Sequence, residues 1–127
     1  MSSEERTSAT ARIWIDDEGI VHYVSLGNKS TAESVSEGLG IVREITGRKR
    51  CPILFDGREW PKGDPASWSR FIAGIEAVCT AAAVVTTPAT VQAMGAFPRL
   101  LDDLVIPFRL FDAEEPALAF LRRHAAG

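Results

Sequence analysis

Histidine and cysteine are scarce in this chain, two of each in 127 residues, and most site chemistry is excluded with them. A metal centre needs three or four convergent ligands, and His22, His124, Cys51 and Cys79 have no close ligand spacing and no CxxC pair. His22 falls in a strand, where a sheet-face role is simplest. His124 lies near the end of the last helix, where a cation is mildly favoured. No Ser–His–Asp or Cys–His arrangement is therefore expected. Apolar runs are no longer than Ala81–Val85, far short of the roughly 20 residues that cross a bilayer. Neither a GxGxxG turn nor a GxxxxGK[ST] loop is present, so nucleotide binding by those devices has no support.

Charge of one sign is also missing. Fourteen Lys and Arg stand against 17 Asp and Glu, a net charge of −3, which is not the footprint of a nonspecific nucleic-acid binder. The basic run Arg48-Lys49-Arg50 reads as a solvated turn, and Asp16-Asp17-Glu18 as a polar hairpin tip. Met1–Ala11 is rich in Ser, Thr and Glu and has no signal-peptide core. The expectation is a cytoplasmic protein with buried thiols and no disulfide, metal or cofactor.

What is present is the mixture of a folded domain, 46% hydrophobic and 24% charged, in a length that suits one core. Residues 1–10 read as a flexible tail and residues 11–127 as the domain. Ala11–Asp16 alternates apolar and mixed positions, Asp17-Glu18-Gly19 is a hairpin turn signal, and Ile20–Leu26 follows as the second strand. Ser30-Thr31-Ala32-Glu33 is a capping-box sequence, with Ser30 placed to cap and Glu33 to reach back. Val35, Leu39, Val42 and Ile45 then recur at helical spacing, and Gly47 stops the helix. Gly38 and Gly40 cost that helix about 1 kcal/mol each relative to Ala, so close approach to a sheet is their expected use.

Pro52–Asp56 predicts a strand buried on both faces. Asp64-Pro65 predicts an N-cap and first turn for a helix whose stripe is Trp68, Phe71, Ile72, Ile75 and Cys79. Ala81–Thr86 is a further buried strand, and Thr87-Pro88 starts a short helix with Val91 and Met94. Ile106–Phe111 is the last strand. Asp112–Glu115 is a second capping box, for a helix burying Leu118, Phe120 and Leu121. The order is ββαβαβαβα: an α/β domain with a mostly parallel five-stranded sheet and the first strand as an antiparallel edge.

In such a sheet, ligands gather at the carboxyl ends of the strands, where helix N-termini favour anions. Asp56, Arg58, Trp60, Asp64, Ser67, Thr86 and Thr87 fall on those junctions. The connection from Asp56 to Asp64 is the longest and mixes both charges with an aromatic, two glycines and a proline, although Arg58 and Glu59 are also explained as solvated and Trp60 as a core cover. The mixed face of the hairpin carries Trp14 and either His22 or Tyr23, more aromatic area than a solvated edge needs: either a terminal segment or helix covers it, or the edge strand or sheet face pairs two copies, and a homodimer is the favoured reading.

A hairpin followed by three αβ units and a last helix resembles the STAS or SpoIIAA-like fold of anti-sigma-factor antagonists. Ile53-Leu54-Phe55-Asp56 looks like that family's apolar strand ending in Asp. Asp64-Pro65-Ala66-Ser67-Trp68-Ser69 stands where family members carry an Asp-Ser-Ser-Gly-like phosphoacceptor sequence. Asp64 matches, Ser67 is the serine nearest the acceptor, and Trp68 replaces the glycine. Asp56-Gly57-Arg58, Pro107–Phe111 and Ala117–Leu121 are more similar to small bacterial SpoIIAA-like proteins of unassigned function. The resemblance implies a noncatalytic regulatory or protein-interaction domain with a protein partner or self-association, and Ser67 as its phosphoacceptor. A second expectation is a lipid-like or anionic small ligand at the carboxyl edge, with Arg58, Trp60, Thr86 and Thr87 lining the site. An enzyme, a nucleic-acid partner and a membrane span are not expected.

Overall fold

A computed structural model describes residues 5–8, 10–26, 31–58, 65–89 and 104–125, without the side chains of 65–68 and 125. The strands are β1 (Arg6–Thr7), β2 (Ala11–Ile15), β3 (Val21–Ser25), β4 (Cys51–Asp56), β5 (Cys79–Val85) and β6 (Phe108–Phe111). The helices are α1 (Ala32–Ile45), α2 (Pro65–Val78) and α3 (Glu114–Ala125). All six strands form one sheet in sequence order. The first two pairings are antiparallel and the next three parallel.

The α/β class and the mixed, mostly parallel pairing agree with the sequence reading, but the strand count does not. Arg6 and Thr7 pair with Ile13 and Arg12, so the sheet has six strands and β2 is not its edge. Ser8 makes the turn possible: its hydroxyl accepts the amide of Ala11 at 3.0 Å and that of Thr10 at 3.2 Å. The expected helix over Val91 and Met94 lies outside the described residues.

Alternation along the strands divides the core in two. Ile13, Val21, Tyr23, Ile53, Phe55, Ala82 and Val84 face α1 and α2, meeting Val35, Leu39, Val42, Phe71 and Ile75. Ile20, Leu54, Ala81, Ala83 and Val85 face Ala117, Phe120 and Leu121 of α3. The Phe55 ring organises the first layer, 5.3 Å from Tyr23 and 4.9 Å from Phe71 between centroids. β4 and β5 are buried on both faces, which explains their continuous apolar sequence.

Three local expectations shift. Helix α1 is capped by Thr31, one residue after Ser30: Thr31 Oγ1 accepts the Ser34 amide at 3.1 Å and Ser34 Oγ accepts the Thr31 amide at 2.8 Å. The box closes on a short hydroxyl at the third helical position, so Glu33 is not its reciprocal partner. Cys79 opens β5 and does not end α2; helix passes into strand with no connecting loop. Gly47 and Arg48, both with positive φ, end α1 as the Gly47 signal predicts, and the Arg48 amide returns to the Arg43 carbonyl at 2.8 Å.

Candidate functional site

Parallel pairing brings the ends of β4, β5 and β6 to one edge. The Gly57 amide donates to the Val85 carbonyl at 2.7 Å and the Thr86 amide to the Phe111 carbonyl at 2.8 Å, so both ladders continue one step past the strands. Thr86 is thereby fixed beside the end of β6. Beyond it lies an open groove of about 550 Å³, lined by Thr86, Thr87, Pro88, Arg109, Leu110, Phe111, Asp112 and Pro116.

Its chemistry is divided. Phe111 packs into the layer under α3, and the Arg109 guanidinium carbon lies 5.9 Å from the Phe111 ring centroid. That places a cation against an aromatic wall. Asp112 adds a carboxylate to the lining, and Glu114 and Glu115 follow in the first turn of α3. Thr86 is only 4% exposed, and its Oγ1 is the one buried side-chain oxygen or nitrogen without a hydrogen-bond partner among the described residues. Buried hydroxyls normally find a partner, so this one is an exception.

The sequence-predicted residues separate accordingly. Thr86 and Thr87 line the groove. Asp56 and Arg58 form their own unit at the end of β4, not among the lining residues. Arg58 Nε donates to Asp56 Oδ1 at 3.0 Å and its Nη2 to Oδ2 at 2.6 Å, and the Arg58 amide adds a third bond at 3.2 Å. Burial works to raise the Asp56 carboxyl, but the hydrogen bonds and charge of Arg58 outweigh it and hold the group below its ordinary value. Ser67 is the third residue of α2, its side chain outside the described set. Trp60 and Asp64 also lie outside the described residues.

Sequence reasoning missed Arg109, Phe111 and Pro116. A usable signal was present: Arg109 interrupts the apolar run from Ile106 to Phe111, which a buried central strand would not tolerate.

A second cluster was also missed. Asp16 accepts the amides of Glu18 at 2.8 Å and Ile20 at 3.0 Å, and its other oxygen lies 2.8 Å from His22 Nε2. The His22 ring stacks on Trp14, 4.9 Å between centroids and 5° from parallel, with Arg12 above Trp14 at 5.8 Å. This settles the hairpin's mixed face: it carries His22, while Tyr23 is in the core. Among the described residues no group of three or more His, Cys, Asp or Glu side chains is arranged to hold a metal ion, and no helix is long and apolar enough to cross a membrane.

The model of a domain of unknown function, DUF7793, matches residues 13–125, and the chain belongs to that family. No curated protein and no solved structure matches the chain.

Proposed function

We propose that this domain is a noncatalytic regulatory module of STAS/SpoIIAA-like type whose groove at the carboxyl ends of β5 and β6 binds a small ligand. The observation that carries the reading is Thr86 beside the groove, its buried hydroxyl unpartnered. Leaving such a group unmet costs about 1–3 kcal/mol, a cost that a bound polar group removes. The fold-type half of the reading draws support from a hairpin leading into parallel strands with helices on both faces. Native mass spectrometry of freshly purified protein tests the binding half. A retained small molecule, or a thermal shift across a panel of lipids and organic acids that Arg109→Gln weakens, is the expected result. Neither signal appearing would remove the reading.

Regulation through protein contact is a second reading, favoured by the hairpin face. Helix α3 lies over β4, β5 and β6, while Arg12, Trp14 and Val24 on the same side of β2 and β3 keep exposed surface. A homodimer through that face gives twice the monomer mass by light scattering at micromolar concentration, and Trp14→Glu returns it to one. Phosphorylation at Ser67, near the start of α2, belongs to the same reading. Co-expression with a cognate kinase tests it, and an unshifted intact mass counts against it.

A further inference from the structure

We infer that the cleft between α1 and α2 binds the phosphate group of a small molecule through Arg43, Arg70 and Ser36. This site lies on the face of the sheet opposite α3 and is separate from the groove, so its failure would leave the ligand-binding reading above untouched.

Helices α1 and α2 each link one parallel strand to the next and pack on the same face, so they run side by side in one direction. Ser36, Leu39 and Arg43 of α1 and Arg70, Ala73 and Gly74 of α2 line a cleft of about 250 Å³ between them. Gly74 sets how near the helices come: a Cβ there would lie 2.5 Å from Leu39 Cδ1, so Leu39 meets the bare backbone of α2. With Leu39 and Gly74 level, Ser36 and Arg70 come level about one turn toward the N-termini. Arg43 stands one turn the other way, and its Cα–Cβ bond tilts back toward Leu39 and Ser36, as on any helix.

The lining holds two cations and no anion. Among the described residues, neither guanidinium has a hydrogen bond or ion pair, and the Ser36 hydroxyl has no partner. Carboxylates of the same helices are used elsewhere: Glu44 pairs with Arg6 at 3.5 Å and Glu76 accepts the Val105 amide at 2.8 Å, while Glu33 and Glu37 are not in the lining. Arg43 has the last turn of α1 in its favour, where the helix dipole welcomes a cation; Arg70, well before the end of α2, has no such support. A bound dianion relieves the repulsion between the two. Each guanidinium offers a planar fork of donors that fits two oxygens of one anion. A phosphate group has the acceptor oxygens, and at neutral pH a charge near −2, to use both forks and the hydroxyl. A lone carboxylate engages one fork and leaves the other cation unmatched. The volume falls below the roughly 300–1,000 Å³ of sites for drug-sized ligands, which fits inorganic phosphate or a short phosphate monoester and excludes a nucleotide.

Amide chemical-shift titration of the full chain at constant ionic strength, with inorganic phosphate, glycerol 3-phosphate and acetate, tests this. Both phosphates should give saturable shifts centred on Ser36–Arg43 and Arg70–Gly74, with acetate weaker by about tenfold or more. A tighter fit of glycerol 3-phosphate assigns the site to small esters, and an equal or weaker one to the free anion. Arg43→Gln and Arg70→Gln should each weaken phosphate by about tenfold, and Ser36→Glu, which puts a carboxylate in the cleft, should abolish its binding. Arg123→Gln removes the same charge from an exposed position on α3 and should change nothing. Acetate binding as tightly as phosphate, Arg123→Gln weakening it as much as the cleft variants, or neither phosphate shifting the cleft residues overturns the inference.

Discussion

A Cβ on Gly38 would come within 2.8 Å of Tyr23 Cζ, whereas one on Gly40 would meet nothing within 4 Å. Composition made these two glycines equivalent; only the packing of α1 on β3 separates them. The Tyr23 ring cannot simply step aside, because it is 9% exposed and tilted against Phe55. Gly38→Ala should therefore destabilise the fold by about 1–3 kcal/mol through overpacking. Gly40→Ala should stabilise it by up to about 1 kcal/mol through helix propensity. Urea denaturation of both variants gives the two signs directly. Asp16 supplies the second prediction at this scale. Burial raises its carboxyl, but the bond to His22 and the amides of Ile20 and Glu18 hold it below the ordinary 3.8. A depressed native value contributes stability that is present above the unfolded value and lost as pH falls through the native one. Asp16→Ala should cost about 1–3 kcal/mol at neutral pH, and its deficit against the wild type should shrink below about pH 4. A deficit constant from pH 6 to pH 3 would contradict that account. The sequence marked Asp16 only as a polar tip, because its partner His22 is reached through the hairpin and not along it.

At the scale of elements, periodicity and punctuation carried most of the information. Pro65, Gly47 and the hairpin turn at Gly19, with its φ of 83°, all stand where their backbone preferences place them. The errors came where two signals were one residue apart. Ser30 and Thr31 are both competent caps by residue type, and the helix uses Thr31, whose hydroxyl accepts the Ser34 amide. Cys79 fits the apolar stripe of α2, yet it is the register partner of Cys51 in β5. There, β5 takes an extra residue between Cys79 and Ala82, which keeps Cys79 on the α2 side of the sheet. The Cys79 thiol donates to the Ile75 carbonyl at 3.0 Å, and burial pushes it up to about 12. Cys51 is raised by burial too, but remains half-buried at the start of β4. Alkylation of the native protein at pH 8 with iodoacetamide should therefore modify Cys51 and spare Cys79, with both reacting in denaturant; peptide mapping reads the outcome. Rapid labelling of native Cys79 would mean that the α2–β5 junction opens.

For the whole molecule, the legible part was the layering and the illegible part was what the layers leave between them. Continuous apolar runs in β4 and β5 demand cover on both faces, and helical stripes in α1, α2 and α3 provide it. The groove depends on features of a different kind: Thr86 held by Phe111, Pro116 at the start of α3, and Arg109 turned to the same side as Phe111. These are relations among residues distant in sequence, and no local pattern encodes them. The long Asp56–Asp64 connection drew attention because charge and aromatics are concentrated there, but Asp56 and Arg58 satisfy each other. The ligand chemistry instead falls on the shorter junctions after β5 and β6. An amide chemical-shift map on titration with the tightest-binding member of the lipid and organic-acid panel tests this location most directly. Saturable shifts centred on Thr86–Thr87 and on Arg109–Pro116 are the result the account predicts. Shifts absent from those two segments, or centred on the α1–α2 cleft lined by Ser36, Arg43 and Arg70, would contradict it.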